Sequence, residues 1–393
     1  MNNKLLDELK NKIQDILPII TKIRHQIHQH PEIALDEFKT SKLVRDCLKS
    51  EKIRLLAPFL ETDVVAFIDG NEKGKNVTLR ADMDALPIHE KTGLPYASQR
   101  DGLMHACGHD GHTSMLIGAA LILNQLKNQF KGSIRFVFQP GEEIVAAGKD
   151  LIDRGALTDP APDAVFALHA GTNLPIGTIA SKPGMFMAAA DMLKIVIKGK
   201  GAHGSRPEQS IDPILITAQV IQAIQSLVSR SINPLDSVVV SLCHIYGGSN
   251  ANTIPDTVSV EGTIRYLKPS LKEKIHTYME QVISGVCNAM GASYEYIYSS
   301  PYLATINNPA IVNLGKQITE EVLGTSKWID LEHPAMGAED FSYYIKQHPG
   351  AMFRIGMGEK CSPLHNDNFD FNDKALKNGI LFLVSSALKV LNP

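Results

Sequence analysis

Apolar residues recur at helical spacing at the start of the chain and then in short runs separated by turn residues. Residues 4–30 carry apolar side chains every three or four positions, which predicts an amphipathic helix with a break or kink at Pro18. A second helix is predicted over 36–52 and a buried helix over 113–130. Short apolar runs at 64–68, 77–79, 134–139 and 164–168 are typical of buried strands. This alternation of strands and helices indicates an α/β layer architecture.

The pattern changes near residue 185. The predicted elements are then a half-exposed strand at 191–198, a helix at 212–230, strands at 237–245 and 257–266, a helix at 270–290 and a strand at 293–298. This β–α–β–β–α–β order resembles a ferredoxin-like module. We therefore predict a smaller α+β domain at 187–303, inserted into a larger α/β domain formed by 1–186 and 304–393.

The bulk composition supports two domains and excludes several kinds of partner. A chain of 393 residues is longer than most single hydrophobic cores allow. The formal net charge of -3 gives no basis for binding nucleic acid or an anionic membrane. The N-terminus lacks the apolar core of a secretory signal, and no run approaches the ~18–20 apolar residues that span a bilayer. Five cysteines without a CxxC pair favour a reducing compartment, so we expect a cytoplasmic protein.

A dense cluster of metal-binding side chains precedes the buried helix at 113–130. His105, Cys107, His109 and His112 fall within eight residues. Thiolate and imidazole ligands suit a borderline-soft ion such as zinc, and manganese, cobalt and nickel are compatible with the same donors. The alternative is a loop of incidental histidines with one buried cysteine, but so many ligand types in so short a segment favour a metal site.

Two further groups of polar residues follow predicted strands. Glu142 and Glu143 come directly after the strand at 134–139, where one carboxylate could bind metal and its neighbour could transfer protons; the alternative is a solvated acidic turn. Asp82 and Asp84 follow the strand at 77–79, and an aspartate there could orient a histidine ligand from behind, unless the segment is an ordinary turn.

Two single histidines, His169 and His365, each follow a leucine. A histidine in that setting is more often structural than a metal ligand. Their significance therefore depends on the complete set of motifs along the chain.

Taken together, these residues resemble a known family, the metallopeptidase-related amidohydrolases that include hippurate hydrolase, N-acyl-amino-acid deacetylases and plant auxin-conjugate hydrolases. The resemblance extends over nearly the whole chain. The motifs are RADMDALP at 80–87, MHACGHDGH at 104–112, QPGEE at 139–143, LH at 168–169, GKGAHGSRPE at 199–208, NTIPD at 252–256, GTIR at 262–265, MGAEDF at 336–341 and LHN at 364–366.

The resemblance implies a large α/β catalytic domain that binds two divalent metal ions and a smaller domain that acts as a lid and often dimerises. A homodimer or a higher homo-oligomer is therefore expected. The implied ligands are Cys107, shared by both metals, His109 and His169 of one metal, and Glu143 and His365 of the other. Glu142 matches the general base of the family, and Asp84 matches the aspartate that steadies a ligand.

The resemblance also assigns residues of the inserted domain that the local sequence does not single out. His203 matches a histidine that reaches the scissile carbonyl, in some relatives from the partner subunit, and Asn252 and Arg265 match positions that hold the substrate. The chain departs from the aminoacylase and carboxypeptidase relatives at two positions. Those relatives have a histidine where this chain has Asp82, and a bridging aspartate in place of the cysteine, so Asp82 is left out of the expected ligand set.

The function implied is metal-dependent hydrolysis of the amide bond of small N-acyl amino acids. A dipeptidase or carboxypeptidase on the same metal scaffold is the nearest alternative. A cysteine hydrolase using Cys107 as nucleophile would leave Glu142 and Glu143 without a role. A non-catalytic binding protein would be marked by the loss of a ligand or of the base, and no such loss is visible. The acyl group, the amino-acid preference and the native metal stay open.

Overall fold

The apolar runs of the sequence form a central eight-stranded sheet in the computed structural model, which describes residues 3–392. The chain divides into two compact units. The larger unit comprises the chain up to Phe186, Ile306–His333 and the chain from Asp340 onward. The smaller unit comprises Met187–Thr305 and Pro334–Glu339. The sequence analysis had placed residues 304–305 and 334–339 in the larger domain.

The helices and strands follow one another along the chain in three stretches. The first contains α1 (Asn3–Gln29), α2 (Phe38–Ser50), β1 (Arg54–Leu55), β2 (Val64–Asp69), β3 (Asn76–Asp82), α3 (His109–Gln125), β4 (Ser133–Gln139), α4 (Glu142–Val145), α5 (Gly148–Asp153), β5 (Ala164–Gly171), β6 (Ile179–Ser181) and β7 (Gly184–Met187). The second contains β8 (Ala189–Lys198), β9 (Ala202–His203), α6 (Pro213–Ser226), β10 (Val238–Gly247), β11 (Thr253–Ile254), β12 (Thr257–Tyr266), α7 (Lys272–Ala289) and β13 (Ser293–Tyr302). The third contains β14 (Thr305–Asn307), α8 (Pro309–Val322), β15 (Trp328–Asp330), α9 (Ser342–Gln347), β16 (Gly350–Gly356) and α10 (Leu376–Leu391).

The large sheet has the strand order β1-β2-β4-β3-β5-β16-β6-β15. Its central strands β4, β3, β5 and β16 are parallel neighbours. Every residue of β3, β4 and β5 is buried, and these include the polar side chains of Thr78, Arg80 and Arg135. The strand β5 is the one of the three that is almost continuously apolar, as expected for a strand covered on both faces. Because parallel strands end at the same edge of a sheet, the segments that follow β3, β4 and β5 meet there, where ligands commonly bind in such sheets.

Helices α1, α3 and α10 pack against one another beside this sheet. Gly118 of α3 permits the close approach, because a Cβ atom there would lie 2.7 Å from Ile380 Cδ1 of α10 and 3.5 Å from Ile20 Cδ1 of α1. Within residues 3–392, no helix combines the length and the apolar character needed to cross a bilayer.

Two details of the helices differ from the sequence expectations. The helix α1 continues through Pro18 without interruption. The helix α3 begins at His109, four residues before the predicted start, because Gly108 adopts a left-handed conformation with φ of 85° and turns the chain into the helix. His109 and Asp110 therefore lie in the first turn of a buried helix rather than in a loop.

The smaller unit contains a four-stranded antiparallel sheet of order β10-β12-β8-β13. Helices α6 and α7 pack together against this sheet. Asp212 caps α6 by accepting from the backbone N–H groups of Ile214 and Leu215. The order β8–α6–β10–β12–α7–β13 is ferredoxin-like, so the predicted fold class is confirmed. The role of this unit as a lid or dimerisation domain stays a prediction.

Candidate metal centre

Residues distant in sequence converge where β3, β4 and β5 end. Asp84 follows β3, Glu143 lies in the single turn of α4 after β4, and His169 lies near the end of β5. His109 opens α3, which follows the loop that contains Cys107. The predicted ligands of this unit are thereby brought to one edge of the sheet.

The first group consists of Cys107, Glu143 and His365, whose potential ligand atoms all lie within 4.8 Å of one another. His365 Nε2 lies 3.0 Å from Glu143 Oε1. The backbone N–H of His365 donates to the carbonyl oxygen of Ala106 at 2.8 Å, and His365 has a left-handed φ of 62°. This contact joins the motif at 364–366 to the cysteine loop.

The second group contains His109 and His169 together with Asp82 and His112, again with potential ligand atoms within 4.8 Å. Cys107 Sγ lies 3.5 Å from His169 Nε2. The thiol of Cys107 therefore adjoins both groups, as a ligand shared between two metal ions must.

Asp84 fixes the orientation of His109 and of Glu143. The Nδ1 atom of His109 lies 2.9 Å from the carbonyl oxygen of Asp84 and 3.1 Å from its Oδ1, so Nδ1 carries the proton. Asp84 Oδ2 accepts from the backbone N–H of Glu143 at 2.9 Å. One buried carboxylate thus holds two potential ligands from behind.

The remaining atoms of these two side chains have the character of metal ligands. His109 Nε2 and Glu143 Oε1 lie 3.8 Å apart and are both buried. Among the described residues His109 Nε2 makes no hydrogen bond, and the nearest imidazole nitrogen to Glu143 Oε1 is Nε2 of His365, itself a candidate ligand, at 3.0 Å. Buried polar atoms are nearly always satisfied in folded proteins, so a pair of this kind, next to a thiol, fits a bound cation.

Asp82 and His112 belong to the same cluster but are already engaged. Asp82 Oδ1 lies 2.6 Å from His112 Nδ1, and Asp82 Oδ2 accepts from Arg80 Nη1 at 2.7 Å. His112 Nε2 accepts from the backbone N–H of Ala170 at 2.7 Å. Both side chains therefore support the end of β5 next to His169. The sequence analysis placed His112 in the dense cluster at 105–112 but not among the implied ligands.

Asp340 supports the segment that carries the predicted base. Its carboxylate accepts from Arg80 Nη2 at 2.8 Å and from Gln139 Nε2 at 2.7 Å. Its backbone N–H donates to Glu142 Oε1 at 3.4 Å. Glu142 is buried and lies beside Glu143 without belonging to the group formed by Cys107, Glu143 and His365. The MGAEDF motif at 336–341 thus contains a residue, Asp340, that positions Glu142, a role that the sequence analysis did not assign.

The electrostatics of the cluster fit cation binding. Burial alone would lower the pKa of His109, but the carboxylates of Asp82 and Asp84 raise it to about 10. Burial and the nearby Arg354 guanidinium hold the pKa of His169 well below its usual value, so this ring is neutral. Burial and the carboxylates of Glu143 and Glu142 raise the pKa of the Cys107 thiol. A metal ion would relieve this excess of carboxylates and displace the proton of the thiol.

Comparison with known proteins agrees with this geometry. The sequence model of peptidase family M20/M25/M40 matches residues 78–389. The chain belongs to this family. The family resemblance drawn from the sequence motifs is therefore confirmed, and with it the enzyme class of metal-dependent amidohydrolases.

Three proteins similar to this M20 member differ in the activity that their names give. The thermostable carboxypeptidase 1 of Saccharolobus solfataricus is 38% identical over 396 residues, which cover 99% of each chain. The N-acetylcysteine deacetylase of Bacillus subtilis is 39% identical over 371 residues, which cover 94% of this chain and 96% of the relative. The crystal structure of a dinuclear metal binding peptidase from Bacillus subtilis is 34% identical, covers 96% of this chain and 99% of its own, and gives a TM-score of 0.83.

The predicted substrate residues of the M20 member lie in the smaller unit. His203 is exposed on β9 and pairs with Thr253 of β11. The backbone N–H of Gly204 donates to the carbonyl oxygen of Asn252 at 2.7 Å, so His203 and Asn252 belong to neighbouring segments. Arg265 is half-buried on β12 in the four-stranded sheet rather than in the β9–β11 pair. The roles of these residues stay predictions.

Proposed function

We propose that this M20 member hydrolyses the amide bond of N-acyl amino acids and releases the acid and the free amino acid. The observation that carries the proposal is the buried His109 Nε2, which makes no hydrogen bond within residues 3–392 and lies 3.8 Å from Glu143 Oε1, in a cluster that includes the thiol of Cys107. The carboxylate of Glu142 lies next to this pair and is available for proton transfer. The Bacillus relative named N-acetylcysteine deacetylase supports a substrate of this class.

Cys107 would contribute to both ion sites, with His109 and His169 holding one divalent ion and Glu143 and His365 holding the other. Zinc, manganese, cobalt and nickel all accept such mixed thiolate, imidazole and carboxylate donors. When bound, a pair of such ions lowers the pKa of a water molecule and polarises the substrate carbonyl. Asp84 holds Nδ1 of His109 with its carbonyl and carboxylate oxygens, and this leaves Nε2 of the same ring as the atom that would bind a metal ion.

Glu142 is the proposed general base. Its side chain is buried, and its Oε1 accepts from the backbone N–H of Asp340, so its position is fixed before substrate binds. The carboxylate accepts a proton from the attacking water and then donates it to the leaving amine nitrogen. Neutral amine departure requires this second transfer, which one positioned carboxylate can perform.

We assign substrate binding to the smaller unit, the proposed lid and dimerisation domain at 187–303, with the catalytic domain formed by 1–186 and 304–393. His203 would donate a hydrogen bond to the carbonyl oxygen as negative charge develops there. Arg265 would pair with the substrate carboxylate, and Asn252 would hold the same half of the substrate. The protein is proposed to be a cytoplasmic homodimer or higher homo-oligomer, and its mass in solution tests the assembly directly.

Peptide cleavage is a second candidate function, because the Saccharolobus relative is named a carboxypeptidase. A peptide substrate brings a second amide or a free α-amino group where an acyl amino acid brings only an uncharged acyl chain. Cleavage rates of dipeptides and of N-acyl amino acids with the same C-terminal residue therefore separate the two functions.

The test is hydrolysis of a panel of N-acetyl and N-benzoyl amino acids, with dipeptides as the comparison. Each substrate is assayed before chelation, after chelation, and after addition of zinc, manganese, cobalt or nickel. We expect acyl amino acids to be cleaved best, and activity to disappear on chelation and return with metal. Activity that survives chelation would redirect attention to Cys107 as a nucleophile, and cleavage of dipeptides alone would favour the peptidase function.

A further inference from the structure

Exposed aliphatic side chains border the proposed base. Ile144 and Val145 directly follow Glu143 in α4, and their side chains are 53% and 46% exposed. Leu35, from the segment between α1 and α2, is 43% exposed. Single exposed apolar residues are common on protein surfaces, whereas a contiguous apolar patch beside a reactive group indicates a binding surface.

Leu35 and Val145 lie close together because two segments are tied together, and the exposed Ile144 precedes Val145 in α4. Glu37 is fully buried, and its Oε1 accepts from the backbone N–H of Gly141 at 2.9 Å. A Cβ atom on Gly141 would lie 2.8 Å from Val145 Cγ2 and 3.4 Å from Leu35 Cδ2. Leu35 and Val145 therefore flank the same backbone position, one residue before Glu142. We call Leu35, Ile144 and Val145 the aliphatic patch.

The same segment is also fixed beside Asp84. The backbone N–H of Ala85 donates to the carbonyl oxygen of Glu32 at 2.8 Å, so residues 31–37 run along both the β3 end and the β4 end of the site. This second attachment prevents Leu35 from moving independently of the proposed ligands and base.

The backbone of the patch is held in conformations that non-glycine residues rarely adopt. Leu35 has a φ of 65°, and Ala146, which follows Val145, has a φ of 52°. Left-handed conformations at bulky residues cluster at functional sites, where the surrounding structure imposes them. A leucine that is both strained and exposed gains little stability from its side chain, which favours a function in contact with a ligand.

We propose that the aliphatic patch receives the acyl group, so that the preferred substrates are N-acyl amino acids with an apolar acyl group larger than acetyl. This inference rests on the proposed function. The amino-acid half of the substrate carries a carboxylate two bonds from the scissile nitrogen and requires hydrogen-bond donors or a cation. The acyl half carries no obligatory charge and suits three aliphatic side chains. These three side chains offer neither a cation nor a hydrogen-bond donor to an acidic acyl group such as succinyl, whose carboxylate would lose water there without a partner.

The consequence is a dependence of kcat/KM on acyl size. Each methylene that leaves water on the patch raises kcat/KM by about fourfold, until the patch is covered. Acetyl, butanoyl, hexanoyl and benzoyl derivatives of one amino acid form the acyl series, and succinyl is the charged comparison. A second series keeps the acetyl group and varies the amino-acid side chain.

The variants are the double substitution I144T/V145T, which keeps both side chains β-branched, and the smaller I144S/V145S. The matched control is Ile19→Ser on α1, an isoleucine that is 58% exposed and lies outside the patch. Circular dichroism and metal content establish that each variant is folded and loaded. We expect the double variants to lose most of the hexanoyl-to-acetyl preference and Ile19→Ser to retain it.

The outcomes separate the inference from the function on which it rests. If wild-type protein cleaves acetyl and hexanoyl substrates equally, or if the double variants change only the amino-acid series, the acyl assignment is overturned while the amidohydrolase function stands. A double variant that instead dissociates an oligomer identifies the patch as a subunit contact and overturns the inference. Cleavage of dipeptides alone overturns both.

Discussion

Two buried histidines of the larger unit, His109 and His28, look alike in most respects. Both are almost completely inaccessible to solvent. In both, burial alone would lower the pKa, yet neighbouring carboxylates raise it, to about 10 in His109 and about 9 in His28. The two are linked through α3, because His109 contacts Asp84 while the next residue, Asp110, contacts His28.

They differ in the number of ring nitrogens that the protein engages. His28 Nδ1 lies 2.8 Å from Asp110 Oδ2, and its Nε2 lies 3.3 Å from Glu90 Oε1. His109 uses only Nδ1 in hydrogen bonds, and its Nε2 makes none within residues 3–392, with the oxygens of Asp82 and Glu143 at 3.8 Å. Burial and a raised pKa therefore mark both histidines, whereas a ring nitrogen without a hydrogen bond distinguishes a candidate ligand from a structural residue.

The largest effect is expected from the carboxylates. Glu142→Gln should lower kcat by about 10²–10⁴-fold, because it removes the group that transfers protons, while metal content stays unchanged. Glu90→Gln, which affects the carboxylate beside His28, is the matched control and should retain wild-type kcat. Steady-state kinetics and elemental analysis measure both, and near-wild-type turnover by Glu142→Gln would show that another group is the base.

The second comparison concerns the aspartates behind each histidine. Asp84→Asn should weaken metal affinity by about 10–100-fold, because Asp84 orients both His109 and Glu143. Asp110→Asn should have a much smaller effect on metal affinity, since Asp110 serves His28. Competition with a chromogenic chelator gives both affinities. Equal losses of metal affinity in the two variants would contradict the assignment of Asp84 to the metal site and of Asp110 to the contact with His28.

The third effect concerns stability and pH. The folded pKa of His28, about 9, exceeds the ordinary value of 6.5, so its contribution to the free energy of unfolding is complete below pH 6.5 and is lost as pH rises through 9. The contribution is on the order of 3 kcal/mol. Urea unfolding of wild-type protein and His28→Gln on either side of this window tests the prediction. A stability difference that does not shrink with rising pH would contradict it.

The smallest effect is expected for a buried polar contact outside both regions. His276 of α7 lies 2.7 Å from Asp191 Oδ2 and 2.6 Å from the Tyr296 hydroxyl, so both of its ring nitrogens are engaged. Tyr296→Phe should lower the free energy of unfolding by about 1 kcal/mol, because one hydrogen bond is lost. Metal content should stay at the wild-type value. Loss of metal from Tyr296→Phe would show that a histidine whose two ring nitrogens are both hydrogen-bonded can still affect metal binding.

Much of the fold was accessible from the sequence because apolar periodicity reports burial directly. The runs at 77–79 and 134–139 became the central strands β3 and β4, and the β–α–β–β–α–β order identified the ferredoxin-like unit. The start of α3 was misplaced because His109 and Asp110 are polar and so resemble a loop. They are buried in a helix only because Asp84 and His28 satisfy them, and no local pattern reveals such distant partners.

The dense cluster at 105–112 was accessible because its residue types and spacing are unusual, and the full set of candidate ligands came from the family resemblance. The supporting contacts were not accessible. Arg24 lies on an ordinary amphipathic helix, yet its guanidinium is fully buried against Asp110 and Asp370. Asp340 holds Arg80 and Gln139 across more than 200 positions of sequence. Such pairings depend on the order of strands in the sheet, which apolar periodicity does not specify.

We expect the metal ligand to be marked by the Nε2 atom of His109, which makes no hydrogen bond within residues 3–392, and not by burial or by a raised pKa. The most direct test is elemental analysis of wild-type protein, His109→Gln and His28→Gln after equilibration with one divalent metal. The account predicts two ions per chain in the wild type, as in a dinuclear relative, fewer in His109→Gln, and the wild-type number in His28→Gln. Undiminished metal in His109→Gln, or an equal loss in His28→Gln, would contradict it.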